Sequence, residues 1–187
     1  MVAAKVLMSE TSFDVGQDYF SLFQIPDDFW VDAKRLQSQY LLLQQSNHPD
    51  NFAGASEYEH GQAVQKTAYL NQGYDTLKSP LKRAVYMLER RGLKFEADSQ
   101  THTDVAFLTE QLELRESLEG VDSSADPFSE LDALMATAEQ SYLNFQKEFV
   151  DAYAEQNWEK SIQSVHKLMF GSKFLDEIRL KEEILEG

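Results

Sequence analysis

Leu36, Tyr40 and Leu43 recur at spacings of four and three behind Asp32, a residue able to cap free helical amides, so a one-sided helix is predicted there. It must stop near Asn47, because Pro49 removes a backbone donor and biases His48 away from helical dihedrals. Residues 47 to about 56, with Gly54 among them, then form a connecting loop. Ala63, Thr67, Leu70, Tyr74 and Leu77 alternate four and three again and predict a second helix from about Glu57 to Lys78. Neither stripe can be buried alone, so the two helices are expected to pack antiparallel. Ser79-Pro80 supplies a hydroxyl cap and a first-turn proline for a third helix carrying Leu81, Ala84, Val85 and Leu88, which Gly92 ends. Arg90 and Arg91 fall in its last turn, where positive charge suits the carbonyl end, and they read as terminating and solubilising charges. Ahead of these elements, Asp18 to Phe23 predicts a short helix, and residues 1–17, lacking a sustained period, a loosely ordered tail.

Periodicity lapses over residues 93–103, which separates a first module, residues 18–92, from a second, residues 104–187. Asp104 is placed to cap a helix running through Glu119. Phe107, Leu114 and Leu118 lie on one edge of that helix, and Leu108 and Leu112 lie roughly a hundred degrees around it, more apolar surface than a narrow seam requires. Gly120 to Asp126 is a turn, and Asp126-Pro127 opens the longest helix. Its Phe128, Leu131, Met135, Ala138, Tyr142, Phe145, Phe149 and Ala152 alternate three and four without a break, a heptad-like stripe assigned to the core. A last helix from about Asn157 presents Ile162, Val165, Met169, Leu175 and Ile178, with Gly171-Ser172 expected to bend or loosen its middle. Three antiparallel helices would close this module. No alternating strand pattern competes anywhere, so the fold class is all-α.

Charge sharpens the division. Residues 18–91 hold eight Lys or Arg against nine Asp or Glu, whereas residues 92–187 hold eight against twenty-one. The formal net charge of -15 argues against a broad grip on nucleic acid, which draws on clustered cations. The acidic half reads either as a docking surface or as a solvated one. No apolar run is long enough to span a bilayer and the N-terminus lacks a secretory signal, so no membrane partner and a cytoplasmic location are expected. Cysteine is absent, which excludes disulfides, thiolate catalysis and cysteine-held zinc or iron-sulfur clusters on this chain.

Catalytic signals are missing. His48, His60, His102 and His166 do not make the paired spacing of a metal site, and no phosphate loop, nucleophile elbow or dinucleotide fingerprint occurs. Glu113 and Glu116 at helical spacing read as a solvated face before they read as a catalytic carboxylate pair. No catalytic residue, metal or cofactor is therefore assigned, and the chain is not expected to be an enzyme. His48-Pro49-Asp50 stands apart because a polar tripeptide between two antiparallel amphipathic helices is held outward by its own scaffold.

That tripeptide, with Asn51-Phe52, the stretch Ala68 to Leu77 and then Ser79-Pro80-Leu81-Lys82-Arg83-Ala84, resembles a J-domain. Ala106-Phe107-Leu108-Thr109-Glu110-Gln111-Leu112-Glu113-Leu114-Arg115-Glu116 resembles the segment that marks the HscB family, J-domain co-chaperones of iron-sulfur cluster assembly. Together the resemblance covers about residues 18 to 184. It implies that His48, Pro49 and Asp50 engage a DnaK-class, HscA-like chaperone ATPase and stimulate its ATP hydrolysis. Lys34, Arg35, Lys66, Lys78, Lys82 and Arg83 would be additional contacts for an acidic ATPase surface. It also implies that Leu108, Thr109, Leu112, Glu113, Glu116 and Phe170 hold an IscU-like iron-sulfur cluster scaffold protein, with no cofactor on this chain. The sequence departs from the family pattern at Asn47, where tyrosine is usual, at Thr109, where methionine is frequent, and at Gly120, where an acidic residue is common. The helix before the tripeptide is also poor in positive charge, with Lys34 and Arg35 its only basic residues. Two further readings are a J-domain protein serving another client and a helical adaptor in which the tripeptide is merely a turn.

Overall fold

A computed structural model describes residues 13–96 and 105–187, which form helices α1 (Tyr19–Leu22), α2 (Ala33–Asn47), α3 (Glu57–Lys78), α4 (Pro80–Arg90), α5 (Val105–Gly120), α6 (Pro127–Ala154) and α7 (Trp158–Glu186). Short 3-10 turns at Pro49–Phe52 and Val121–Ser123 interrupt the connections, and no strand occurs among the described residues. The chain divides into two units, one ending at Tyr86 and the other beginning at Met87, so the division falls inside α4. The expected connector over residues 93–103 begins later than that, and its residues 97–103, together with the proposed cap Asp104, lie outside the described residues.

The first unit is built around α2 and α3. Asp32 accepts from the amides of Lys34 and Arg35 at 2.9 and 3.1 Å, which starts α2 where the apolar spacing places it. Ser56 and Glu59 start α3 as a reciprocal capping box: the Glu59 amide donates to Ser56 Oγ, and the Ser56 amide donates to the Glu59 carboxylate at 3.0 Å. The Ser56 hydroxyl also donates to the Glu59 carboxylate at 2.7 Å, and this bond first and the Ser56 amide second hold the Glu59 pKa below its ordinary value. Leu36 and Leu43 from α2 and Leu70 and Leu77 from α3 are all at most 2% exposed, the inward faces of the two helices. Tyr40 stacks on Tyr74 at 4.2 Å and donates to Asn71 Oδ1, tying the same two helices along the half-buried edge.

Aromatics close the other side. Phe20, Phe23 and Phe29 are buried, and the Tyr86 hydroxyl accepts from the Tyr19 amide while donating to Asp18 Oδ1, which fixes the start of α1. Gly73 on α3 makes room for this layer, since a Cβ there would stand 2.8 Å from Tyr19 Cδ1. The expected loose tail is corrected at its end: Phe13 is 5% exposed and stacked at 6.5 Å on Tyr69, and the Tyr69 hydroxyl donates to the Gln17 carbonyl. Burial raises the Tyr69 pKa above its ordinary value. Residues 1–12 of that expected tail lie outside the described residues.

In the second unit α6 runs antiparallel to both α5 and α7. Val121, Leu131, Leu134, Ala138, Phe174, Leu175 and Ile178 form its buried cluster, with Leu114 and Leu118 of α5 packed against it. Phe128 departs from the predicted stripe and is 47% exposed. It occupies the first turn of α6, where the stripe keeps its direction but reaches the edge of the core. Gly92 ends α4 with φ +76°, its amide donating to the Glu89 carbonyl and the Leu93 amide to the Leu88 carbonyl, a paired closure that glycine favours. Arg91 does more than end the helix, for its Nε donates to the Tyr153 hydroxyl at 3.0 Å and its guanidinium lies over that ring.

Gly171-Ser172 neither bends nor loosens α7, which is continuous from Trp158 to Glu186. Its glycine serves close approach instead, because a Cβ at Gly171 would lie 2.9 Å from Tyr142 Cδ2. Gly61 on α3 has nothing within 4 Å of the same built position. Gly61→Ala is therefore expected to stabilise by about 0.4–1 kcal/mol. Gly171→Ala is expected to destabilise, because overpacking at about 1–3 kcal/mol outweighs the gain in helix propensity. Denaturant midpoints of the two variants should move in opposite directions.

Candidate functional site

Two exposed surfaces stand out, one in each unit. In the first, α2 stops at Asn47 and His48 turns to φ -61° and ψ 133°, the extended conformation required ahead of proline. The turn that follows is braced from three directions. The Asn51 amide donates to the His48 carbonyl at 3.0 Å, Asn51 Nδ2 donates back to the Gln45 carbonyl at 2.8 Å, and Thr67 of α3 donates to the Asn47 carbonyl at 3.1 Å. Asn47 itself is buried and its Nδ2 donates to the Leu43 carbonyl at 2.9 Å. A residue that departs from the family pattern thus turns its side chain back onto the last turn of its own helix.

The side chains this brace presents are accessible, His48 at 48% and Asp50 at 89%. His48 Nδ1 accepts from the Asp50 amide at 3.3 Å, so in the neutral ring the proton sits on Nε2. Asp50 Oδ2 lies 3.5 Å from the same Nδ1 and becomes an ion-pair partner when the ring is protonated. The tripeptide therefore presents donor and acceptor groups on a turn held by hydrogen bonds to both flanking helices.

The cations predicted around it do not form one patch. Lys34 and Arg35 sit at the far end of α2, about 20 Å along the helix from His48 at 1.5 Å per residue. Arg35 also donates to the Gln24 carbonyl at 2.7 Å, Lys66 lies over Phe13, and Lys78 lies over Tyr74. Arg83 is corrected as a surface contact: it is 6% exposed with its guanidinium 4.9 Å above Phe29, a cation used inside the unit. Lys82, its neighbour on α4, is exposed.

In the second unit the two edges of α5 separate as their angles require. Phe107 is 4% exposed and meets Phe145 edge-on at 5.7 Å, whereas Leu108 and Leu112 are 43% and 58% exposed. Thr109, Glu113 and Glu116 are exposed beside them, with the Thr109 hydroxyl donating to the Val105 carbonyl. Phe170 of α7 is half-buried and packs edge-on against Phe107 at 5.7 Å, which joins it to the core-facing edge of α5. Two residues on α5 escaped the sequence reading. Gln111 is buried, and its angle, about forty degrees from Phe107 and about twenty from Leu118, was the available signal, masked by its polarity. Arg115 lies over Phe170 at 5.9 Å and 3.8 Å from Glu177, and its spacing of three from Leu112 was the corresponding signal.

Metal-binding clusters of three or more His, Asp or Glu are not found among the described residues. His166 is 1% exposed with Phe95 at 4.7 Å, and His102 lies outside the described residues. Among the described residues no helix is long and apolar enough to cross a membrane.

Known proteins share this architecture. Residues 103–179 match the family described as the HSCB C-terminal oligomerisation domain. The chain is 39% identical to the co-chaperone protein HscB of Proteus mirabilis, across 91% of this chain and 99% of that protein. It is 40% identical, across the same shares, to the co-chaperone protein HscB homolog of Vibrio vulnificus. The solved chaperone HscB from Vibrio cholerae superposes with a TM-score of 0.82 at 37% identity, covering 90% of this chain and 99% of that one. Human co-chaperone HscB superposes with a TM-score of 0.81 at 27% identity, covering 91% and 85%. Fold and relatives together define the class, an all-α co-chaperone. Within that class, the chain belongs to the HscB family.

Proposed function

We propose that the chain stimulates ATP hydrolysis by a DnaK-class, HscA-like chaperone through His48-Pro49-Asp50 and delivers an IscU-like iron-sulfur cluster scaffold protein to it, working in the cytoplasm. The observation that carries this reading is the exposure of Leu108 and Leu112 on a helix whose other edge fills the core. Large apolar side chains left outward in a row, on a surface rimmed by Glu113 and Glu116, have the anatomy of a protein-binding anchor. The braced tripeptide supports the second contact, because a rigid display lowers the ordering cost of binding. Lys34 and Lys82, both exposed, remain in the proposed ATPase contact, whereas Arg83 does not.

Incubating the tagged chain with a purified HscA-like ATPase and IscU-like scaffold from the same source should retain both proteins. Retention of the ATPase alone would leave a J-domain co-chaperone for another client, and retention of neither would leave a helical adaptor. Association with the scaffold is also expected to slow as salt rises, since residues 92–187 hold twenty-one acidic against eight basic side chains. Dissociation, governed by the apolar contacts, should change little. Stopped-flow rates at several ionic strengths test this, and a salt-independent association rate would assign the acidic excess to solubility alone.

A further inference from the structure

Arg115 occupies the border between the two helices that build the leucine surface. At roughly a hundred degrees per residue it falls within about twenty degrees of Leu108 around α5 and about sixty of Leu112, so it belongs to their edge. Its side chain is 41% exposed and, unlike theirs, reaches across to α7. Its guanidinium carbon lies 5.9 Å from the Phe170 ring centroid, and its Nε lies 3.8 Å from Glu177 Oε2, two helical turns further along α7. Glu177 is in turn 3.9 Å from Lys173 Nζ, so its carboxylate stands between two cations. Phe170 meets Phe107, at an interplanar angle of 81°, and that residue is itself part of the core. The ring is thus held by a buried aromatic and by a guanidinium that a carboxylate anchors. Leu108 and Leu112 have their direction fixed by α5, whereas Phe170 comes from another helix and is joined to α5 through Phe107 and Arg115.

We propose that Arg115 is a positioning residue for the scaffold-binding surface, locking the Phe170 ring beside Leu108 and Leu112; this rests on the proposed scaffold contact. It acts through Phe170, not by touching the scaffold. The test is calorimetric affinity for a purified IscU-like scaffold, measured on the full chain for Arg115→Met, Arg115→Lys, Phe170→Ala, the Arg115→Met/Phe170→Ala pair and Leu108→Ala/Leu112→Ala. Methionine keeps much of the stem and removes the cation, so Arg115→Met should weaken binding about threefold, the scale of an exposed cation–π contact. Lysine retains the cation and should restore most of the affinity. In the Phe170→Ala background Arg115→Met should cost nothing further, because the residue it positions is gone. Glu177→Gln, which frees the guanidinium without touching the ring, should weaken binding in the same direction and also lose its effect in that background. An undiminished Arg115→Met effect in the Phe170→Ala background would overturn the proposal in favour of direct scaffold contact, and so would normal affinity for Arg115→Met itself. Normal affinity for Leu108→Ala/Leu112→Ala would instead remove the proposed surface altogether, and the positioning role with it.

Discussion

His48→Gln is expected to reduce stimulation of the HscA-like ATPase by at least roughly tenfold while leaving the fold intact. The side chain is 48% exposed, and the bond it accepts from the Asp50 amide is long at 3.3 Å. The turn is otherwise held by groups the substitution does not touch, the Asn47 and His48 carbonyls and the Asn51 amide side chain. Exposed positions of this kind usually change stability by no more than about 0.5 kcal/mol. An interaction anchor, by contrast, typically contributes about 2 kcal/mol or more, a factor of roughly thirty in affinity. Single-turnover ATP hydrolysis and denaturant unfolding, measured on the same preparation, separate the two effects. Normal stimulation by the variant would remove the tripeptide from the mechanism.

Leu108→Ala/Leu112→Ala is expected to weaken scaffold affinity by at least roughly tenfold, about 1.4 kcal/mol, with stability nearly unchanged and scaffold-free ATPase stimulation normal. The contrast is internal to the second unit. Leu131→Ala, at a position 3% exposed, should cost about 2–5 kcal/mol because it opens a cavity in the cluster shared by α6 and α7. Leu108 and Leu112 have no such cavity to leave. Retained scaffold affinity in the double variant would dismiss the surface, and a loss of stability comparable to that of Leu131→Ala would return both leucines to the core.

What could be read from sequence was whatever a single helix decides for itself. The stripes through Leu36 and Leu43, through Ala63, Leu70 and Leu77, and through Leu131, Ala138 and Phe149 face inward as their spacing requires, and Asp32 and Gly92 mark helix ends by local chemistry. Angular arithmetic alone also separated the exposed leucines of α5 from Phe107. What escaped depends on a second element. Arg83 reads as a surface cation until Phe29 covers it, and Gly171 reads as a weakness until Tyr142 fills the space it leaves. Phe13 looks dispensable until Tyr69 stacks on it. The Ser56-Glu59 capping box, by contrast, is a local pair whose spacing of three is legible in the sequence itself. Arg115 could be placed on its edge from sequence, but its reach to Phe170 required the neighbouring helix.

The notch at Gly171 also determines register. A long antiparallel hairpin whose stripe repeats every seven residues has near-equivalent dockings one repeat apart, and apolar contact alone discriminates poorly among them. Gly171 admits the Tyr142 ring where any other side chain would collide, so sliding α7 along α6 would present that ring with a Cβ. Phe170 is the adjacent residue, and its meeting with Phe107 holds in the docking the notch selects. A buried residue with no side chain thereby sets which aromatic of α7 meets Phe107 of α5.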